Sequence, residues 1–205
     1  MAGPEEDAED GPAPTPKPKE WAAYLRNILG LWPGHQVPVF IVHNVPIGDL
    51  TNWSDSELTL VLDEGRRQMD RLFDEVEKVR VRSQFLFTST VALLVVVLAG
   101  RHTMLAAKNV VPLALWALSI VVVGLGMLGA ASIIASRKDL RAIDAAKFTT
   151  TEERPLLREL VAAHARSVKD STNTVYTQIT MFRDAVLVVL IGAIIYGIAW
   201  IVATV

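Results

Sequence analysis

Residues 113–136, LALWALSIVVVGLGMLGAASIIAS, contain no charged side chain and decide the fold class. Two similar windows lie on either side, SQFLFTSTVALLVVVLAG at 83–100 and AVLVVLIGAIIYGIAWIVATV at 185–205. A helix rises about 1.5 Å per residue, so roughly 20 residues cross the hydrocarbon core of a bilayer, which is about 30 Å thick. A chain of 205 residues has too little protein to cover three such windows in a soluble fold. The sequence therefore predicts an all-α membrane protein with transmembrane helices at 83–100, 113–136 and 185–205.

The composition agrees with this class and excludes several others. The chain is 51% apolar and has a mean hydropathy of +0.35. Lys and Arg number 20 against 22 Asp and Glu, so the net charge of −2 predicts no basic surface for nucleic acid. The absence of cysteine excludes disulfides, thiol nucleophiles and cysteine-ligated metals. Heavy use of Ala, Val, Leu and Arg, with little Lys, suggests a bacterial source.

Basic residues near the ends of the spans predict the orientation, because lysine and arginine collect on the cytoplasmic side. The connection 101–112 contains only Arg101 and Lys108, and nothing basic follows the third span. We therefore expect a multi-pass protein of the cytoplasmic membrane with its N-terminus inside, its C-terminus and loop 101–112 outside, and a cytosolic helical hairpin at 137–184. The basic residues counted next to the inner ends of the spans are Arg66, Arg67, Arg71, Lys78, Arg80, Arg82, Arg137, Lys138, Arg141, Lys147, Arg166, Lys169 and Arg183.

The region ahead of the first long helix divides into parts of different composition. Residues 1–19 are rich in proline and acidic residues, which predicts a disordered tail. Residues 20–52 predict an amphipathic helix followed by an extended segment, VPVFIVHNVP at 37–46. The apolar face of this helix suits either a membrane interface or docking on the rest of the protein. Its interfacial anchor residues are Trp21, Leu25, Ile28 and Trp32, with Leu29 beside them.

The helix predicted at 53–82 leads into the first span and has a well-marked start. Ser54 and Glu57 form a capping box, and Trp53 against Leu58 forms a hydrophobic staple. Apolar residues then recur at steps of four and three, as in a coiled coil. This predicted oligomerisation seam consists of Leu58, Leu62, Met69, Leu72, Val76 and Val79.

A second helix with a similar repeat begins between Thr151 and Pro155 and runs through His164 into the third span. Together the two helices predict a cytosolic stalk that continues the membrane bundle. Periodicity alone leaves open whether the seam is filled within one chain or between chains.

No catalytic motif is present in the sequence. The stretch GLGMLG at 124–129 matches a dinucleotide fingerprint, but it lies inside an uncharged span and not between a strand and a helix. Neither a P-loop nor a G-x-S-x-G motif occurs. We therefore expect no enzyme activity, no cofactor and no metal. The histidines, which lack the spacing of metal ligands, are His35, His43, His102 and His164.

The spans contain no Asp, Glu, Lys, Arg or His, which argues against a proton-coupled transporter. Their hydroxyls bond back to their own helix or across to a neighbour, or line an oligomeric pore; they belong to Thr88, Ser89, Thr90, Ser119 and Ser132. Small residues four positions apart let membrane helices approach closely. Such pairs are Gly126 with Ala130 and Ala193 with Gly197.

The order of parts resembles a known group of proteins over residues 55–205. A long helix enters the first span, a short hairpin leads to the second, and STNTVYTQITMFRDA at 171–185 leads into the third. This order is similar to that of the small membrane effectors of bacterial anti-phage nucleotide-signalling systems, the Pycsar and SLATT-type families. The resemblance implies oligomerisation and membrane damage on activation. Residues 1–54 contain no recognisable cyclic-nucleotide domain.

These features together predict a non-enzymatic membrane protein that self-associates or scaffolds partners. Its expected partners are the lipid bilayer and further copies of itself or another membrane protein. The alternative is a membrane-perturbing or pore-forming effector, either holin-like or phage-defence. A second alternative is a membrane-anchored enzyme.

The orientation is testable with reporters fused to each terminus. A phosphatase that is active only outside the cytoplasm should be active after Val205 and inactive before Met1, because three spans place the termini on opposite sides. A reporter that is active after Val205 only in the cytoplasm contradicts the N-in, C-out orientation.

Overall fold

The computed structural model describes residues 20–29, 41, 48–107, 110–135 and 156–205. These residues form helices and no strand, which confirms the all-α prediction. Three of the helices are long and apolar enough to cross a membrane, as expected. The predicted tail 1–19, nearly all of the extended segment 37–46, and most of the hairpin between the second and third spans lie outside the described residues. The helices are α1 (Glu20–Leu29), α2 (Asp55–Ala99), α3 (Arg101–Ala106), α4 (Val110–Ala135) and α5 (Leu156–Thr204).

Helix α2 begins as the sequence predicts. The Ser54 hydroxyl accepts a hydrogen bond from the Glu57 amide, and the Glu57 carboxylate accepts one from the Ser54 amide at 2.8 Å. These bonds satisfy backbone donors that have no partner within the helix. They also hold the pKa of the Glu57 carboxyl below its usual value. Over 45 residues, about 67 Å, the helix continues without a break into the first span.

The connection after the first span is more helical than predicted. Residues 101–112 were expected to form a loop, but the chain forms α3 directly after Gly100 and begins α4 at Val110. Pro112 lies in the first turn of α4. Amides in this turn have no partner within the helix, so the absence of one in proline does not weaken it. The second span therefore starts three residues before its expected position at residue 113.

The three long helices alternate in direction. Gly65 and Gly100 on α2 lie against His164 and Trp200 on α5, so residue numbers rise together and these helices are parallel. On α4 and α5 the order is reversed, because Val123 contacts Gly192 while Gly126 contacts Val189. Helix α4 is therefore antiparallel to the other two. We call residues 55–82 of α2 together with residues 156–184 of α5 the stalk, since both helices extend there beyond α4.

Two glycines bring α4 and α5 into backbone contact inside the membrane region. A methyl group on Gly192 would lie 2.6 Å from Cγ2 and 3.1 Å from the backbone nitrogen of Val123. A methyl group on Gly126 would overlap Val189 and lie 3.4 Å from the Ala185 carbonyl oxygen. Each glycine receives a valine from the facing helix, so the contact is reciprocal. Lipid gives helices no hydrophobic reason to associate, and such close packing is what holds them together.

Helix α1 docks on the end of the bundle from which the stalk extends. The Tyr24 hydroxyl donates a hydrogen bond to the Leu125 carbonyl at 3.1 Å, and its ring covers Gly129. Burial, with a smaller contribution from the charge of Asp184, raises the pKa of Tyr24 to about 12. Docking, one of the two alternatives for this helix, is therefore what the structure shows. The ring lies in a cluster with Val79, Ile133, Met181 and Ala185, with Ile28 beside it.

The opposite end of the bundle is closed by two aromatic side chains that bond to α2. The Trp116 indole donates to the Val97 carbonyl at 2.7 Å, and the Tyr196 hydroxyl donates to the Val96 carbonyl at 3.4 Å. The Val96 carbonyl also accepts a hydrogen bond from the Gly100 amide. Carbonyls near the end of a helix often lack a partner within it, and lipid cannot supply one, so side-chain donors are favourable there. Both flanking helices are thereby attached to the end of α2.

Four of the five span hydroxyls named from the sequence bond to their own helices, and the fifth, Ser89, is exposed. Thr90 donates to the Leu86 carbonyl, and Ser132 donates to the Gly129 carbonyl, each at 2.7 Å. Ser119 and Thr88 likewise bond to backbone carbonyls three and four residues earlier. This confirms the first of the alternatives for these side chains, and a Thr- or Ser-lined pore receives no support from these bonds.

Alanine at Gly126 should destabilise the bundle, whereas alanine at Gly124 should not. The added methyl group at Gly126 overlaps Val189 and its neighbours, while Gly124 has nothing within 4 Å of its added atom. We expect Gly126→Ala to lower the free energy of unfolding by about 1–3 kcal/mol, as overpacking does. Steric-trap unfolding in bicelles measures both variants. Equal losses for the two substitutions would contradict the close contact of α4 and α5.

Candidate functional site in the stalk

The predicted oligomerisation seam lies within the single chain. Leu58 and Leu62 are buried in a cluster with Val161 of α5, and Leu157 and Leu160 pack beside them. Met69 and Val79 are also buried, while Leu72 and Val76 are half-buried. Periodicity left open which chain fills the seam, and in this fold helix α5 of the same chain does. A second copy would have to displace α5 to reach Leu58 and Leu62.

The seam of α5 is more polar than that of α2. Ser171 and Gln178 are buried in the stalk, with Val175 between them at the heptad spacing. Small and polar residues fill a seam less completely than the leucines of α2 do. Buried polar atoms there also need partners, because losing water without gaining a hydrogen bond costs about 1–3 kcal/mol.

Gly65 and His164 form a close contact between the two stalk helices. A methyl group on Gly65 would lie 2.5 Å from Cδ2 and 3.1 Å from Nε2 of His164. The imidazole therefore packs against the bare backbone of α2, and only glycine leaves space for it. His164 is the packed interhelical residue that its seam position predicts. Its Nε2 atom is buried and has no hydrogen-bond partner.

A cavity of about 670 Å³ lies beside this contact, between α2 and α5. Gly48, Leu50 and Trp53, from the segment that precedes α2, form one wall. That segment is held by a turn, in which Asp49 accepts hydrogen bonds from the amide and hydroxyl of Thr51, and these bonds lower the pKa of the Asp49 carboxyl. The apolar lining from the helices is Val61, Leu72, Val161, Ala165 and Val168.

The charged lining of the cavity contains both signs. Arg71 and Glu75 lie one turn apart on α2, and among the described residues neither has a hydrogen bond or ion pair. Glu64 accepts a hydrogen bond from Gln68 at 3.3 Å. Lys169 and Thr172 contribute from α5, together with His164. The cavity thus has an apolar interior and a polar edge, as small-molecule sites do.

Buried polar side-chain atoms without a partner occur at four places in the described part of the chain. They are Ser83 Oγ, Arg158 Nε, His164 Nε2 and Ser171 Oγ. Of these four residues, His164 lines the cavity. Exceptions of this kind in a folded protein call for a specific explanation.

The predicted interfacial anchor divides between two environments. Ile28 is half-buried against the bundle, while Leu25 and Leu29 are 41% and 52% exposed. The side chain of Trp21 and the whole of Trp32 lie outside the described residues. Anchoring by the exposed leucines stays a prediction. The residue that docks α1 is Tyr24, which the pattern of tryptophans and leucines did not single out.

The small-residue pairs of the spans also fall in different places. Gly126 and Ala130 are buried in the bundle, with Gly126 against α5. Ala193 is half-buried, and Gly197 is exposed with nothing within 4 Å of an added methyl group. Spacing gave no signal for Gly192 and Gly129, which receive Val123 and Tyr24 respectively.

Other sequence patterns acquire no chemistry in the structure. GLGMLG at 124–129 lies inside α4 with no strand before it. His102 is exposed on α3, and His35 and His43 lie outside the described residues. Among the described residues no group of acidic and histidine side chains is placed to hold a metal ion. Comparison of the chain with protein families, curated proteins and solved structures finds no match.

Alanine at Gly65 should open the stalk, and removal of the His164 ring should reverse most of that loss. The added methyl group would displace the imidazole, so we expect Gly65→Ala to lower the opening free energy of the stalk by about 1–3 kcal/mol. In the double variant with His164→Ala the collision is absent. Hydrogen exchange of amides 58–79 in nanodiscs measures the opening. Strictly additive effects of the two substitutions would contradict the contact.

Proposed function

We propose that this chain is a non-enzymatic assembly protein of the cytoplasmic membrane. It self-associates through the outer face of α5 within the bilayer and presents the stalk to the cytosol, where partners gather. The proposal keeps the role expected from the sequence but moves self-association from the stalk seam to the membrane, because α5 already occupies the seam within one chain.

The observation that carries the proposal is a close-packing position on the outer face of α5 that the described part of the chain leaves open. The most apolar windows of α2, α4 and α5 have only 22%, 22% and 17% of their residues buried within the chain. Most residues of each window are therefore at least partly open to lipid or to other membrane helices. Lipid covers such residues without cost, so their exposure leaves room for further helices, and the attraction must come from close packing.

The outer face of α5 offers the closest approach for a second copy. Leu190, Ile194 and Ile201 are exposed along it, and Gly197 lies between them with open space at its α-carbon. The glycines Gly126 and Gly192 show how this chain uses such positions, since each admits a side chain of a facing helix. Gly197 has the same capacity, and no described residue of its own chain occupies it.

Leucine at Gly197 should weaken self-association by about tenfold, which corresponds to about 1.4 kcal/mol. Gly124→Leu is the matched control, because Gly124 is also open but lies on α4. The chain contains no cysteine, so Thr204→Cys provides a single labelling site for energy transfer between copies in liposomes. A monomer at every protein-to-lipid ratio, or equal effects of both leucines, contradicts the proposal.

The same liposomes distinguish assembly from membrane damage. An assembly protein should leave an entrapped dye inside at densities where copies associate. Release of dye that depends on the protein density and disappears in the Gly197→Leu variant would favour the effector alternative instead.

A further inference from the structure

We propose that the cavity between α2 and α5 in the stalk binds a small planar organic anion, such as an aromatic carboxylate or phosphate. The cavity is remote from Gly197 along α5, and binding there does not depend on self-association of the spans.

The size and lining of the cavity fit a small molecule. Its volume of about 670 Å³ falls within the range of roughly 300–1,000 Å³ that small-molecule sites occupy. The apolar walls come from both helices, with Leu72 of α2 facing Val161 and Val168 of α5 across it. A ligand with an apolar body would remove these side chains from water, which is favourable.

The two seams change composition beside the cavity. The α2 seam has glycine at Gly65, and the α5 seam has serine at Ser171, where a well-filled coiled coil would have large aliphatic residues. The imidazole of His164 fills the space at Gly65, and its buried Nε2 atom lies against the backbone of α2, out of reach of a ligand in the cavity.

The charged lining of the cavity consists of two basic side chains, Arg71 and Lys169, and two carboxylates, Glu64 and Glu75. Glu64 accepts a hydrogen bond from Gln68. The guanidinium of Arg71 has no ion pair or hydrogen bond among the described residues, and its flat fork suits a carboxylate or phosphate. Arg71 is therefore the group that would hold an anionic head group.

A planar body is favoured by the groups at the edge of the cavity. Trp53 lines it from the segment before α2 and is 39% exposed, so part of its indole is accessible. Arginine and tryptophan both present flat surfaces on which an aromatic ring can stack. An aromatic ligand could therefore contact both while its anionic group meets Arg71.

The test uses the full chain in nanodiscs and three probes that share one ring system, with equilibrium dialysis against empty nanodiscs to subtract uptake by lipid. The probes are 2-naphthoate, its neutral methyl ester and 2-naphthylmethylammonium. We expect saturable binding of one 2-naphthoate per chain, about tenfold tighter than the ester, as one charge-assisted bond provides. Absence of saturable binding, or an equal or higher affinity for the ammonium probe, overturns the proposal.

Variants locate the binding in the stalk. Arg71→Gln should weaken 2-naphthoate binding about tenfold. Arg67→Gln is the matched control, because Arg67 is an exposed arginine of the same helix that does not line the cavity. The affinity of this variant for 2-naphthoate should stay within about twofold of that of the unchanged chain. Ala165→Phe should abolish binding by filling the cavity, with circular dichroism confirming that the helices remain. Equal affinities for the two arginine variants, or full binding by Ala165→Phe, overturn the proposal.

Discussion

The bundle depends on a backbone approach between α4 and α5 that only glycine permits. In water, apolar helices associate because burial removes their surface from solvent, but lipid chains are as apolar as leucine and provide no such force. Packing must then supply the attraction, and it falls off steeply as atoms separate. Gly126 and Gly192 bring Val189 and Val123 against the opposing backbone, so both helices contribute a notch and a side chain that fills it. The position of α2 follows, because it packs against this pair.

The stalk continues the geometry of the membrane region. Helices α2 and α5 keep the same parallel pairing from Gly65 with His164 to Gly100 with Trp200, and neither helix is interrupted between these points. A rotation or shift of α5 in the membrane would therefore carry the stalk residues with it. Two aromatic bonds to Val96 and Val97 hold one end of this unit, and Tyr24 fills the junction of three helices where the stalk emerges.

Sequence reasoning succeeded where one local rule sufficed. The length of the uncharged windows identified the spans. The Ser54 hydroxyl and the Glu57 carboxylate identified the start of α2, and apolar residues recurring every three or four positions identified side chains of α2 that are buried. It could not tell Gly126 from Gly197, since both belong to small-residue pairs and only the rotation of each helix decides which one faces a neighbour. The same limit applies to Tyr24, whose place depends on a notch at Gly129 that lies more than a hundred residues away. The helical turns at 101–106 were missed because the connection was defined only as the residues between two uncharged windows.

The stalk departs from regular packing at one place, and that place is also where chemistry is available. An apolar seam on both helices would stabilise the pair more than the observed mixture does, since leucine against leucine buries more surface than glycine against histidine. Near Gly65 the chain instead keeps an imidazole with an unpaired nitrogen, an unpaired guanidinium at Arg71 and an open volume between them. In natural proteins, local preferences, packing and hydrogen bonding usually favour the same structure, and the exceptions tend to lie at functional sites. In the described part of the spans, Thr88, Thr90, Ser119 and Ser132 bond to their own helices. Ser83, at the start of the first span, is a buried hydroxyl without a partner. The mismatch between the two seams is therefore a feature of this chain that packing alone does not explain.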